Sequence, residues 1–545
     1  MNRVSHYLQE HVSGEVMTSV DARSYFSTDN SIFSLTPSVI VYPKNENDIR
    51  KTARFTWQLA ERGRVVPITA RGNGTDLSGA ALGSGVLLVY PAHLNQVKFY
   101  DAKTAEITVE AGINFGKLQQ LLQSYERFIP SAPSSLEYST LGGAVANNAS
   151  SRRSFKYGSM RQYVKGLRVV LANGEVIETM RLNKRELNRK LGLSSLEGEI
   201  YRSLDALLEE NKSVVEKSTL EVTKNSAGYN LADIQDKDGS FDLTPLIVGS
   251  QGTLGLITEV TLTSEPYNGK SSLITAYFNS AEDLQSAVLE LRKLDEVPSA
   301  IEMVDDTLLT SVASENANYL KEVVDKPYPK FILFVEYDNV NEHDRNKGVK
   351  KAVKILGKYS DTVNSETDTD KQKLIWKVRD ASSIISGHPH GKANPLPLID
   401  DGIVTPDKLA KFLSAIYDQF KKEHMQVAIW GHAGDANLHV QPILDLSQVG
   451  DRQKAFRMLE DFTKTIKELG GSTTGQYNEG RLRGPLLAKL YPDDVYQLFN
   501  KVKKIFDPYG TLNPGVKINV STDEVRPLLR DKYSLEHVYD HLPLS

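Results

Sequence analysis

Two glycine-bearing stretches, RGNGTDLSG from residue 71 and STLGGAVANNAS from residue 139, restrict this chain more than any other feature. Glycine lets consecutive backbone N–H groups turn toward one point, which makes a nest for an anion. Gly72, Gly74 and Gly79 do this beside Arg71, Thr75 and Ser78. Gly142 and Gly143 stand where a helix is expected to start, and a helix N-terminus is also an anion site. Two cradles in one domain imply a diphosphate, hence a dinucleotide. No G-x-G-x-x-G at a strand-to-helix junction supports a Rossmann site, and GINFGKL is one residue short of a Walker loop.

The flanking sequence alternates strand and helix patterns. SVIVYPK, RVVPITA, GVLLVY and AEITVEAG read as strands, while NENDIRKTARFTWQLAERG and INFGKLQQLLQSY read as helices with polar residues ahead of them. GLRVVLANGEVIET is expected to be a hairpin around Asn-Gly. Residues 182–216 are charged and helical in pattern, and LIVGSQGTLGLITEVTLTSEP closes this half with strands. The pattern then changes: SSLITAYF, FILFVEY and QVAIWGH lie between long polar helices, a second α+β region. The expected division is an N-terminal helical segment (1–36), a dinucleotide domain (37–268), a substrate domain (269–505) and a C-terminal segment (506–545) that turns back on the first half.

With 545 residues, two or three domains are expected. The formal charge is only −4, with acids and bases interspersed, so no nucleic-acid partner is expected. The absence of cysteine excludes disulfides, thiol nucleophiles and iron–sulfur clusters. No apolar h-region opens the chain and no run reaches the ~18 residues of a membrane span. The expectation is a cytoplasmic protein without a transmembrane segment, with peripheral membrane contact left open.

WGHAGDANLHV, residues 430–440, places two histidines seven apart. A helix would put both on one face, but Gly434, Asp435 and Asn437 favour a turn and the flanks are β-branched. A four-residue hairpin loop would pair Ala433 with Leu438 and His432 with His439, their Cβ atoms about 4.5–5.5 Å apart. That spacing suits two imidazoles on one metal or one substrate.

These segments, with YFSTDNSIF, PSVIVYPKNENDI, PSAPSSLEYST, YGSMRQYVKG, KNSAGYNL, GSQGTLGLITEV, IEMVDD, IWKVRD and FDPYGTLNPGVK, occur in an order that resembles the FAD-linked oxidases with the vanillyl-alcohol-oxidase (PCMH) type of FAD domain. The resemblance is to the D-lactate dehydrogenase, glycolate oxidase subunit and D-2-hydroxyglutarate dehydrogenase branch. It implies an α+β fold: a PCMH-type FAD-binding domain of two α+β subdomains, then a substrate (cap) domain with an antiparallel sheet and flanking helices. It also implies oxidation of a small D-2-hydroxyacid by hydride transfer to flavin. By position, FAD would contact Arg71, Gly72, Asn73, Gly74, Thr75, Asp76, Ser78 and Gly79. Further contacts are Pro133, Thr140, Gly142, Gly143, Asn147, Tyr157, Gly158, Gly252, Thr253, Ile257, Asn513 and Lys517. The first loop has no histidine, so the FAD is expected to be non-covalent. The electron acceptor, a quinone or an electron-transfer protein, is not specified, and a homodimer is one expected state.

In this branch the two histidines and a later glutamate ligate a divalent metal, and a histidine after that glutamate is the base. Here Gln476 and Tyr477 stand at those two positions. A neutral amide is a weaker ligand than carboxylate, and tyrosine is a poor base unless its pKa falls. Metal on His432, His439 and Gln476, with Zn or Mn as the candidate ions, is therefore left open, as is compensation by Glu479. Arg379 matches the arginine that pairs the substrate carboxylate. Asn437 either touches substrate or fixes the loop. His388 and His390 read as loop residues. Two alternatives stay open: an alkylglycerone-phosphate-synthase-like FAD transferase, which Tyr477 favours, and a non-catalytic FAD-binding subunit.

Overall fold

Three larger sheets organise the chain, seen in a computed structural model that describes residues 3–533 apart from 317, 322 and 382–392. His388 and His390 lie outside the described residues. The first sheet runs Glu15–Met17, Val39–Tyr42, Val86–Val89, Ile68–Arg71 across its width. Its last three strands are parallel, and the amphipathic helix Glu46–Glu61, capped by Asn45, makes the crossover. The N-terminal segment is helical at Arg3–His11 and Val20–Tyr25, but Glu15–Met17 is a strand paired antiparallel to Val39–Tyr42. Asp48 fixes that entry: its carboxylate accepts the N–H groups of Ser13, Gly14 and Lys44 at 2.8–3.0 Å.

The second sheet is antiparallel, ordered Val97–Asp101, Glu106–Glu110, Leu256–Thr263, Val164–Val170, Val176–Thr179. The hairpin around Asn173-Gly174 is present, with Val170 opposite Val176 and Gly174 at φ +83°. One apolar core fills the space between these two sheets. It also takes in helix Asp493–Phe506 through Val495, Leu498, Phe499, Val502 and Phe506. The boundary set at 505/506 cuts the last turn of that helix. Beyond it, the chain re-enters the first sheet: Ile68 N–H donates to Thr511 O and Asn513 N–H to Ile68 O.

The third sheet has seven antiparallel strands, in the order Val363–Glu366, Ser272–Phe278, Phe331–Tyr337, Ala300–Asp305, Ile429–His432, Asn437–Val440, Gly402–Ile403. Alternation along each strand serves two separate cores. Ile301, Met303, Leu333 and Val335 pack on helices Ala281–Leu291, Leu409–Lys422 and Val449–Glu468. Ala300, Val304, Ile332 and Phe334 pack on helices Asp306–Glu315 and Thr369–Asp380. The expected antiparallel sheet with flanking helices is thus observed. Segment 151–158 docks against it: Arg153 grips Glu336 through two parallel donors, Nε–Oε2 2.8 Å and Nη2–Oε1 3.0 Å, and Lys156 reaches Asp338.

Candidate active site

The first glycine loop begins at Arg71, at the carboxyl end of a parallel strand, where open α/β sheets take ligands. The second opens helix Leu141–Asn147, whose N-cap Thr140 accepts from Gly143 N–H. The two loops face each other closely enough that a Cβ on Gly72 would lie 2.3 Å from Thr140 Oγ1. They wall a cleft lined by Ala70–Gly72, Asp76, Ala80, Ala81, Tyr90, Ala111, Gly142, Gly143, Ala146, Asn147, Gln251, Gly252, Gly255 and Ile257. A slot walled by glycine and alanine, with two amide-rich turns, fits the diphosphate and flat rings of FAD. It continues past Asn73, Gly74, Thr75, Pro133, Ser139 and Ser150 to Gln476 and Tyr477.

The same two residues open a second cavity of about 710 Å³, whose walls include Arg379, Asp400, Trp430, His432, His439 and Gln441. The histidine hairpin forms, but in a different register: His432 pairs with Asn437 and Trp430 with His439. Ala433–Asp435 make a 3₁₀ turn and Ala436 sits left-handed at φ +50°, so the loop closes one step earlier than four central residues starting at Gly434 would allow. His432 and His439 are therefore diagonal neighbours rather than opposite, yet still share a face. Their Nε2 atoms are 3.4 Å apart.

Each imidazole is backed by a carboxylate: His432 Nδ1 faces Glu302 Oε1 at 2.5 Å and His439 Nδ1 faces Asp400 Oδ1 at 2.5 Å. A carboxylate only accepts, so both rings carry their proton on Nδ1 and aim the Nε2 lone pair inward. Gln476 Oε1 meets His432 Nε2 at 2.6 Å, and its orientation is set because Gln476 Nε2 donates to Ser150 O. Three acceptor atoms thus converge. Neutral lone pairs in this arrangement repel, so the set accommodates a positive particle, either a proton or a metal ion. Among the described residues, no group of three His, Cys, Asp or Glu is arranged to hold a metal.

Glu302 is fully buried, and His432 and Arg379, whose Nε donates to it at 2.7 Å, hold its pKa down at about 2 despite burial. Burial in turn pushes the His432 pKa below its ordinary value. Tyr477 lies tilted against His439, ring centroids 5.8 Å and planes 57° apart. Burial, then Asp400 and Asp401, push its hydroxyl pKa well up, so it is a neutral donor rather than a base.

The family described as "FAD binding domain" matches residues 37–180, and that described as "FAD linked oxidases, C-terminal domain" matches residues 269–516. This chain belongs to the FAD-linked oxidases. The D-2-hydroxyglutarate dehydrogenase of Haemophilus influenzae is 26% identical over 535 residues, covering 93% of this chain and 50% of that protein. The glycolate oxidase subunit GlcD of Bacillus subtilis is 26% identical over 484 residues, 88% of each chain. This chain thus spans about half the length of the D-2-hydroxyglutarate dehydrogenases it matches. A 4-ethylphenol oxidase from Gulosibacter chungangensis shares the fold, with TM-score 0.68 at 14% identity over 96% of this chain and 97% of that one. An alkyldihydroxyacetonephosphate synthase does so with TM-score 0.61 at 15% identity over 92% and 83%.

Several residues that sequence placed at the flavin also have partners within the protein. Arg71 donates to the carbonyls of Phe26 and Thr28. Asp76 gathers Ser78, Ala80 N–H and Asn147, and Asn147 accepts from Gln251. Gly79 turns that loop at φ +81°. Tyr157 donates to Asp338 at the seam, and Gly158 at φ +69° packs on Gln162. Thr253 pairs with Tyr229. Asn513 ties Thr69, Ala80 and Gln251 together. Lys517 is fully buried on Glu479, Asn478 and Ser226. Glu479 is thereby committed and does not replace the absent carboxylate. Asn437 is loop scaffolding, donating to Asp401 and Gly402 O.

Sequence reasoning missed Glu302, Asp400 and Asp401. Glu302 had a signal: an acid flanked by apolar residues within the buried strand AIEMVD, where a buried charge demands partners.

Proposed function

We propose that this FAD-linked oxidase oxidises a small D-2-hydroxyacid, of the D-lactate, glycolate or D-2-hydroxyglutarate type, to the 2-oxoacid. The names of its relatives support the substrate class. The observation that carries the reading is the pair of carboxylate-backed imidazoles on a cavity continuous with the FAD cleft. Bound FAD supplies the two-electron acceptor for the hydride on the substrate Cα. The inward Nε2 atoms take the hydroxyl proton, and Glu302 and Asp400 stabilise the imidazolium that results. Arg379 pairs the substrate carboxylate with the donors that Glu302 leaves to it. Tyr477 donates a hydrogen bond from a hydroxyl that stays protonated.

His432, His439 and Gln476 are the residues that would hold a divalent ion such as Zn or Mn, which would lower the pKa of a hydroxyl bound there. The electrons must leave again, and a quinone or an electron-transfer protein is the proposed acceptor. A homodimer and a cytoplasmic location, with peripheral membrane contact left open, complete the reading; among the described residues no helix is long and apolar enough to cross a membrane. Anaerobic mixing with D-lactate, glycolate and D-2-hydroxyglutarate tests it. Bleaching of the flavin band by at least one acid is expected. A yellow protein bleached by none of them, with divalent metal supplied, refutes the reading.

A further inference from the structure

Between the two halves lies a buried ammonium that none of the chemistry above uses. Lys224 Nζ donates to Ser150 Oγ at 3.1 Å and Ser154 Oγ at 2.9 Å, with Asp435 Oδ2 at 3.7 Å. Ser154 Oγ also donates to Asp435 Oδ2 at 2.6 Å. The Lys224 and Asp435 side chains are 5% and 4% exposed.

These partners lead to the reacting atoms by two routes. Ser150 holds Gln476: its carbonyl accepts the amide Nε2 at 3.1 Å, which turns Gln476 Oε1 onto His432 Nε2. Asp435 sits in the turn that joins His432 to His439. One ammonium therefore binds the anchor of the amide and the tip of the histidine hairpin, closing a ring of contacts through His432. Its charge suits the place, because Asp435 is a buried carboxylate whose Oδ2 meets the Ser154 hydroxyl and this ammonium.

We propose that Lys224 is a positioning residue that fixes the histidine turn and the Gln476 amide relative to each other, so that His432 Nε2, His439 Nε2 and Gln476 Oε1 converge. The catalytic consequence rests on the reading given under Proposed function; the geometric one does not.

The test uses the FAD-loaded full chain carrying Lys224→Met, which keeps length and removes charge. A second variant, Lys224→Met with Asp435→Asn, removes both charges together in case the first does not fold. Expected are unchanged FAD content, KM within about threefold, and kcat down about 10–100-fold, the usual cost of losing a residue that orients a histidine. A folded variant with unchanged kcat overturns the proposal. So does a loss in which FAD content and thermal stability fall in step with kcat, since that is the signature of a general scaffold residue. If the wild-type protein reduces with no acid, the functional reading alone fails and a crystal structure of the variant decides. Separation of Gln476 Oε1 from His432 is then expected, and an unchanged convergence of the three atoms overturns the assignment.

Discussion

Replacing Glu336 by Gln removes one charge from the seam between segment 151–158 and the seven-stranded sheet, and its cost can be worked from the structure. Glu336 is 2% exposed; Arg153 holds both of its oxygens, through Nε and Nη2, and Ser299 Oγ donates to it at 2.8 Å. Burial alone would raise its pKa, but Arg153 brings it down to about 2 from an ordinary 4.5. At 1.36 kcal/mol per pH unit, that difference means about 3 kcal/mol favouring the folded state when the group is ionised. A depressed folded pKa stabilises fully above the unfolded value, and the contribution is lost as pH falls through the folded one. The window is therefore from about pH 4.5 down to about pH 2. Denaturant titrations of wild type and Glu336→Gln should differ by about 3 kcal/mol at pH 7 and by about half of that at pH 3. A gap of the same size at both values would falsify the ion-pair account and leave only lost packing.

Glu302→Gln should lower kcat about 10–100-fold with FAD content unchanged, because an amide offers one acceptor oxygen where His432 Nδ1 and Arg379 Nε use two, so the His432 tautomer is no longer fixed; single-turnover flavin reduction measures it. An unaffected rate would mean that the reaction does not depend on the His432 tautomer. Gly72→Ala places a Cβ 2.3 Å from Thr140 Oγ1 and should yield protein depleted of FAD, read from the visible absorbance. Gln476→Glu adds the missing anionic ligand while losing the donation to Ser150 O. It should be about 1 kcal/mol less stable without metal, yet gain about 2.7 kcal/mol with Zn or Mn at a hundred times Kd. Stability insensitive to either ion would argue that a proton occupies the site instead.

The glycine loops, the Asn173-Gly174 hairpin and helix Glu46–Glu61 were legible because turn and cap chemistry is local. The histidine pair was legible as a pair but not in register, since a left-handed Ala436 has no sequence signal of its own. What stayed hidden is contact between distant segments. Nothing near Gly79, Asn513 or Lys517 tells that loops hundreds of residues apart share one buried network. Tyr157 and Arg71 sit in family positions, but their partners at Asp338 and at Phe26–Thr28 could be named only from coordinates. Alanines 70, 80, 81, 111 and 146 shape the FAD cleft by being small, which leaves no chemical mark in sequence.

The charge around the converging atoms is placed unusually, and this shapes what they can do. Gln476 is neutral, and the carboxylates that meet the two imidazoles are one ring away, on Glu302 and Asp400. Arg379 offsets part of the first through its 2.7 Å contact, while Asp400 also accepts from Gln441 at 2.8 Å. The His439 side is thus the less compensated of the two. When a proton arrives at the inner face, its imidazolium is the one backed by a carboxylate that no arginine shares within hydrogen-bond distance among the described contacts. His432, whose protonated form burial disfavours and whose Nε2 already meets Gln476, is better suited to orienting the reacting hydroxyl. On the proposed reaction this asymmetry favours His439 as the stronger of the two proton acceptors, so His439→Gln should depress the proton-dependent step more deeply than His432→Gln at equal FAD content. A solvent deuterium isotope effect on flavin reduction that stays the same in both variants would contradict that assignment.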